Sequence, residues 1–243
     1  MAALRRAIMA DPASVPSPIA SAAYAFVDNE AYFTQTYGTT LRALRTLEQA
    51  VGPTRFAAAM KAYARAWAFR HPTGRDLFDT LTRELGEDLD WFFGPVFQQV
   101  GGMKLAVRTA SCERAHEPRG VFGAGPGRKT VTATEAPDSG GYACEVVVTN
   151  TGAWHVRLEI ELRFEDGFSQ RVEWDAREGG HWKRFAFKRS SKLTEVILDP
   201  DGKVELDSPM THHYRLGGDG AAALRGGAWF ASTAQTLMQL VGL

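Results

Sequence analysis

The sequence is poor in cysteine and has no excess of charge of either sign. Its 243 residues include only Cys112 and Cys144, too few for a disulfide-dense secreted scaffold and without the spacing of a zinc ribbon. We interpret both as buried free thiols, because unpaired cysteine packs as a small hydrophobic residue. The 28 Lys and Arg residues balance 28 Asp and Glu residues, so no long-range field attracts nucleic acid or an anionic membrane. We therefore expect no nucleic-acid partner.

Signals for export and for several common enzyme classes are also absent. The first 20 residues carry early positive charge, but Asp11 and Pro12 interrupt the apolar core that a signal peptide requires. The sequence therefore predicts no signal peptide, and the compartment stays open. It contains no G-x-S-x-G motif, no P-loop and no Rossmann glycine pattern. Serine-hydrolase, nucleotide-hydrolysing and dinucleotide-dependent chemistry thus have no support.

Apolar residues recur at steps of three and four between residues 29 and 99, which predicts a series of helices. Asp28 and Asn29 are both good N-caps for the first of these helices. Gly52 is expected to end that helix, and Pro53 is expected to open the next one.

Two further helices are predicted before residue 100. Thr73 and Asp76 have the spacing of a capping box, and Gly86 suits the C-cap of the same helix. The last helix is predicted to begin near Asp88 and to bury aromatic residues. Pro95 is expected to kink or stop it, because proline removes a helical hydrogen bond.

From about Met103 the hydrophobic period changes from helical to alternating. Short β-rich runs such as WHVRLEIELRF and HWKRFAFKR are separated by turn residues. Charged and apolar residues alternate along residues 156–163, which predicts a strand with one buried and one wet face. Asp166-Gly167 is predicted to form the turn of a hairpin. These patterns predict a β-sandwich.

The chain is therefore predicted to belong to the α+β class. We divide it into a helical region at residues 1–100, a β-sandwich domain at 101–215 and a C-terminal helix at 216–243. Residues 226–243 carry no charge, but these 18 residues fall short of the roughly 20 needed to span a bilayer. An apolar stripe in this segment predicts a helix docked on the β-domain or on a missing partner domain. Membrane contact by this helix is the weaker alternative.

The six histidines do not form a recognisable metal site. His116 and Glu117 begin like a zinc motif, but Pro118 follows, so no helical pair of histidines can form. His212 and His213 are adjacent and point in different directions on any regular element. We assign the remaining histidines to capping or surface roles, and we expect no metal ligands in this chain.

Several segments, in order, resemble a known family. They are AYFTQTYGTTLRALRTLE, FRHPTGRDLFDTL, DLDWFF, DGFSQRVEW and VILDPDGKVELD. Together they resemble the C-terminal portion of a gluzincin zinc aminopeptidase of the alanyl aminopeptidase family, across most of residues 25–210. The resemblance implies that the helical region is part of a thermolysin-like catalytic domain.

The chain departs from that family in four respects. The zinc-binding H-E-x-x-H motif and its later glutamate are missing. Thr39-Thr40 and Gly94-Pro95 stand where relatives commonly have other residues, and the C-terminal helical domain of larger members is absent. These departures affect the substrate cleft more than the fold.

The resemblance assigns a catalytic role to Tyr37. Attack on a peptide carbonyl creates a tetrahedral oxyanion, and a phenol stays protonated at neutral pH and can donate a hydrogen bond to it. Tyr37 matches the tyrosine that performs this role in the family. Tyr32 is a weaker candidate for a supporting phenol, because residues five apart on an α-helix point about 140° away from each other. Without the resemblance, both tyrosines would be interpreted as packing residues of an aromatic helix face.

The resemblance thus predicts a fragment of a zinc-dependent aminopeptidase that is inactive alone. Zinc is expected in the full-length protein, held by residues outside this chain, and the substrate is expected to be a peptide. Missing N-terminal domains, or a second copy of the chain, are the expected partners of its helical face. The alternative is a noncatalytic binding or scaffold protein that has kept the fold and lost the metal site.

Overall fold

The computed structural model describes residues 15–116, 120–131, 138–178, 180–207 and 212–216, and these form helices followed by antiparallel strands. The predicted α+β class is confirmed. The helices are α1 (Asn29–Phe33), α2 (Thr40–Val51), α3 (Pro53–Trp67), α4 (Gly74–Leu85) and α5 (Asp90–Gln98), and a π-helical turn (Thr34–Thr39) joins α1 to α2. The predicted C-terminal helix lies, except for Leu216, outside the described residues. No helix of the described part is long and apolar enough to cross a membrane.

The predicted helix ends are confirmed at several positions. The Asp28 carboxylate accepts a hydrogen bond from the Ala31 N–H and so caps α1. Gly52 ends α2 with φ of 95°, in the region that favours glycine. Thr73 and Asp76 form the capping box of α4, and Gly86 closes that helix in the left-handed conformation.

Helix α5 continues through Pro95, so the helix does not stop there. Pro95 lies inside a nine-residue helix whose buried residues include Phe92, Phe93 and Phe97. The ring of Phe78 from α4 stacks on Phe93 with 4.2 Å between the centroids. This aromatic packing offsets the one backbone hydrogen bond that proline removes.

The strands build two main antiparallel sheets and a small hairpin. The three-stranded sheet has the order β1 (Leu105–His116), β4 (Asp138–Asn150), β7 (Trp182–Arg189). The four-stranded sheet has the order β6 (Ser169–Asp175), β5 (Arg157–Phe164), β8 (Leu193–Leu198), β9 (His213–Arg215). Strands β2 (Gly120–Phe122) and β3 (Lys129–Val131) form the hairpin.

Strand β5 has apolar residues on one face and charged residues on the other, as its alternating sequence predicts. Leu158, Ile160 and Leu162 are buried, whereas Glu159 and Glu161 between them pair with Arg171 on β6. The chain then reverses at Asp166-Gly167, where the Gly167 N–H donates to the Phe164 carbonyl. The predicted hairpin turn is thus confirmed.

One hydrophobic cluster joins the helices to both main sheets. It includes Leu47, Leu81 and Phe92 from the helices and Val146 and Ile160 from the sheets, all almost completely buried. The helices and the strands therefore share a core, and neither layer buries its apolar face alone.

Helix α2 is tied to the β-domain by polar contacts at one place. The Arg42 Nε donates to the carbonyl oxygen of Glu205, and the Glu205 N–H donates to the Thr46 Oγ1 over 3.0 Å. Both side chains are buried. These bonds set the position of α2, and through it that of the π-helical turn, relative to the sheets.

The two cysteines are joined in the structure, so the interpretation as free thiols is wrong. Cys112 on β1 lies directly opposite Cys144 on β4 in the antiparallel register, and their sulfurs form a disulfide. The sequence spacing did not indicate this pair, because 32 positions separate the two residues and only the strand register makes them neighbours.

Candidate functional site

Tyr37 lies on the π-helical turn with its ring on the protein surface. Its side chain is 47% exposed. The ring of Phe33 stacks on it, with 5.4 Å between centroids and 25° between the ring planes. A stacked aromatic neighbour restricts the directions that the Tyr37 ring can take. The phenol is therefore both accessible and oriented.

Tyr32 is close to Tyr37, so the predicted separation of about 140° is wrong. The two ring centroids are 6.1 Å apart in an edge-to-face arrangement. The cause is the π-helical turn, because its i→i+5 hydrogen bonding places residues five apart on the same side of the helix. Apolar spacing cannot reveal such a turn, since it signals a regular period.

The neighbouring Tyr37 side chain, and then partial loss of solvent, raise the pKa of the Tyr32 hydroxyl above its ordinary value. Phe26 and Phe33 hold the Tyr32 ring from other sides, with centroids 5.5 and 5.7 Å away. Tyr32 is thus part of a cluster of rings, which we call the aromatic cluster: Phe26, Tyr32, Phe33 and Tyr37.

The opposite side of the π-helical turn is polar and buried. Gln35 donates from its Nε2 to the backbone oxygen of Ser17 over 2.8 Å. Its Oε1, and the Oγ1 of Thr39, find no hydrogen-bond partner among the described residues. Each side chain is 1% exposed. Buried polar atoms without partners destabilise a fold, and π-helical turns are frequently found at functional sites.

A groove runs beside the aromatic cluster. It encloses about 450 Å³ and is lined by residues of the segment before α1 and by Tyr32. The lining residues are Ala23, Tyr24, Phe26, Asp28, Asn29 and Tyr32. Asp28 contributes a carboxylate to the groove, although one of its oxygens caps the Ala31 N–H. Sequence reasoning missed this groove, because it did not predict how the segment before α1 folds back.

A second cavity, of about 310 Å³, lies between helices and sheet and is rich in paired charges. On one wall Arg177 lies 4.6 Å from the ring centre of Trp91 and pairs with Asp175. Arg177 holds the pKa of the Asp175 carboxyl below its ordinary value, mainly through a hydrogen bond. Lys203 likewise lowers the pKa of the Glu159 carboxyl, mainly through a hydrogen bond of 2.9 Å from its Nζ to Glu159 Oε1. Both ion pairs lie among the strands and their loops, and the contact of Arg177 with Trp91 joins this wall to helix α5.

His155, His181 and His212 make structural contacts. His155 and His181 lie 5.3 Å apart between ring centroids, beside the buried Asn150. Burial, and then the charge of His181, lowers the pKa of His155. His212 is buried and lies 3.0 Å from an oxygen of Asp207. Among the described residues, no three His, Cys, Asp or Glu side chains are arranged to hold a metal ion.

Comparisons with known proteins give a distant structural likeness. No family model matches the chain, and no curated protein matches it. Among solved structures, the fold is similar to that of Legionella pneumophila aminopeptidase A in complex with aspartic acid, with a TM-score of 0.46 and 14% sequence identity. The match covers 73% of this chain and 18% of that protein.

Proposed function

We propose that this chain is the downstream part of a zinc aminopeptidase of the gluzincin clan, and that Tyr37 stabilises the oxyanion of peptide hydrolysis. One observation carries the proposal: the Tyr37 phenol is exposed and oriented on a π-helical turn. It lies within the sequence segment AYFTQTYGTTLRALRTLE, which resembles the tyrosine helix of that family.

The chemistry asked of Tyr37 is a hydrogen bond that strengthens in the transition state. When water attacks a peptide carbonyl, the carbonyl oxygen becomes an oxyanion that needs a donor. A phenol provides one O–H donor and stays protonated near neutral pH. Loss of one preorganised donor costs about 100- to 1000-fold in kcat.

Zinc fits this proposal only if its ligands lie outside the described part of the chain. The described residues contain no group of three His, Cys, Asp or Glu side chains arranged to hold a metal ion. We assign the zinc ligands and the general base to another part of the full-length protein. The isolated chain is accordingly expected to be inactive.

The exposed side of the helical region suits contact with that missing part and with substrate. Phe33, Tyr37 and Leu41 recur at steps of four, and each is more than 40% exposed. Exposed apolar residues grouped in this way mark contact surfaces. Missing N-terminal domains are therefore the proposed partner, and self-association is the expected behaviour of the isolated chain.

The experiment begins with the reading frame that contains this chain, extended upstream to its start codon. The encoded protein should contain H-E-x-x-H with a later glutamate, bind zinc and hydrolyse an aminoacyl p-nitroanilide. Tyr37→Phe should lower kcat by about 100- to 1000-fold with little change in KM. Tyr63→Phe is the matched control, because Tyr63 lies on α3 and lines neither the groove nor the aromatic cluster. Full activity of Tyr37→Phe would refute the proposal.

The second candidate is a noncatalytic binding or scaffold protein. The observation that favours it is the aromatic cluster, since an exposed aromatic surface also suits a protein ligand. A reading frame that begins at Met1 and encodes no zinc motif would support this candidate. A stable protein without hydrolytic activity, in which Tyr37→Phe changes the binding of a partner, would also support it.

A further inference from the structure

The connection between α3 and α4 holds a phenylalanine in an unfavourable backbone conformation. The Arg70 N–H donates to the Trp67 carbonyl over 3.0 Å, which closes a four-residue turn. Ala68 has φ of −53° and ψ of 128°, and Phe69 has φ of 60°. These angles are those of a type II turn, whose third residue is normally glycine because a side chain is strained at positive φ. A bulky aromatic residue at this position therefore lowers the stability of the fold.

The described part of the chain offers no contact that offsets this strain. The Phe69 side chain is completely exposed, so its ring contributes no burial of apolar surface. Arg70 and His71 beside it are exposed as well and form no ion pair with another described residue. We call residues 67–71 the Phe69 loop. A strained, protruding aromatic residue next to unpaired cations is typical of a contact surface rather than of a fold determinant.

The groove beside Tyr32 has the complementary properties. It encloses about 450 Å³, and the side chains of Tyr24, Phe26 and Tyr32 line it. Aromatic rings pack favourably against one another edge-to-face or offset. The Asp28 carboxylate also lines the groove, and Glu30 is exposed two residues further along the chain. The groove thus suits an aromatic side chain that is accompanied by a cation.

We propose that the Phe69 loop of one copy of this chain docks in the groove beside Tyr32 of a second copy. The Phe69 ring packs against the aromatic walls, and the Arg70 guanidinium approaches the Asp28 carboxylate. The contact joins two different surfaces of the same protein, so it is head-to-tail. One aromatic anchor buries much less than the ~1,600 Å² of a standard interface. The association is therefore weak and depends on protein concentration.

An anionic membrane fits the same loop less well. Stable attachment to a bilayer takes more than one weak anchor, and the Phe69 loop offers one ring. The chain also carries no net positive charge that would hold it at an anionic surface. The groove of a second copy provides both the aromatic walls and the negative charge that the loop lacks.

Sedimentation equilibrium of this chain over a range of concentrations tests the contact. The average mass should rise with concentration, and Phe69→Gly should lower the association constant about 30-fold, the loss typical of an aromatic anchor. Glycine suits the turn, so this variant should unfold at no lower urea concentration than the wild type. Trp182→Ala is the matched control, because it removes an exposed aromatic side chain from β7, and it should associate like the wild type. A wild-type chain that stays monomeric, or a Phe69→Gly chain that associates equally well, would overturn the inference.

A double-mutant cycle tests whether the loop meets the groove. Asp28→Asn removes the charge and keeps the helix cap, since asparagine caps as well as aspartate does. Asp28→Asn and Arg70→Gln should each weaken the association about 2- to 5-fold, and the double variant should lose no more than one of them. Additive losses would mean that the two charges do not meet, and docking in the groove would be wrong.

Vesicles of anionic phospholipid provide the competing outcome. If Phe69→Gly abolished vesicle binding and left self-association unchanged, the Phe69 loop would be a membrane contact and the inference would be overturned. These experiments use no enzymatic activity. Their failure is therefore distinct from failure of the proposed function, which the activity of Tyr37→Phe decides.

Discussion

Replacing Thr39 with valine is expected to stabilise the protein, whereas the same replacement at Thr46 is expected to destabilise it. Both side chains lie on the segment that carries Tyr37, and both are at most 2% exposed. The Thr39 hydroxyl finds no partner among the described residues. The Thr46 hydroxyl accepts a hydrogen bond from the Glu205 N–H over 3.0 Å. Valine has the shape of threonine but cannot hydrogen-bond, so each change isolates one hydroxyl.

The magnitudes follow from the hydrogen-bond status of each hydroxyl. Burial of a hydroxyl without a partner costs about 1–3 kcal/mol in mutational data, so Thr39→Val should raise the free energy of unfolding by about 1 kcal/mol or more. Thr46→Val removes a contact between α2 and the β-domain and should lower it by about 0.5–1.5 kcal/mol. Threonine and valine have similar helix propensities, so propensity does not separate the two variants.

Urea unfolding followed by circular dichroism measures both changes. The midpoints should move in opposite directions, with the slope m unchanged. In a thermal melt, about 1 kcal/mol corresponds to roughly 2–4 °C for a protein of this size. If Thr39→Val destabilised the protein as much as Thr46→Val, the Thr39 hydroxyl would have a partner. The description of the buried side of the π-helical turn would then be wrong.

Two further predictions concern the β-domain. The Cys112–Cys144 disulfide closes a loop with a separation of 32 residues, so its reduction should lower the free energy of unfolding by about 3–4 kcal/mol. Thiol titration of the unreduced, denatured protein should find no free thiol, and two thiols would contradict the pairing. Burial and the charge of His181 lower the pKa of His155 below 6.5, so the unfolded chain binds this proton more readily. The free energy of unfolding should therefore decline as the pH falls from 6.5 through the pKa of His155 in the folded protein. His155→Gln should reduce this decline, as measured by urea unfolding at several pH values. An unchanged pH dependence in that variant would contradict the assignment.

Much of the helical region could be predicted because its signals are local. The Asp28 cap, the Gly52 and Gly86 ends and the Thr73 and Asp76 capping box each depend on residues within one turn. The helix does not stop at Pro95, because the packing of the aromatic residues around α5 outweighs the local preference of proline.

The candidate site was predicted in part. Tyr37 stands out in the sequence through a resemblance, and the structure adds that its ring is exposed and stacked on Phe33. The contact of Tyr32 with Tyr37 could not be predicted, because residues five apart approach each other on a π-helical turn but not on a regular α-helix. The groove next to Tyr32 depends on how residues before Asp28 fold back, which no periodic pattern describes.

By itself the sequence determined the α+β class, the order of helices and strands, most helix caps and the hairpin turn at Asp166-Gly167, because each depends on residues close together in the chain. The tertiary structure decided the pairing of Cys112 with Cys144 and the approach of Tyr32 to Tyr37. Strand register makes the first contact, and one π-helical turn makes the second. Both depend on hydrogen-bond geometry, which residue spacing does not encode.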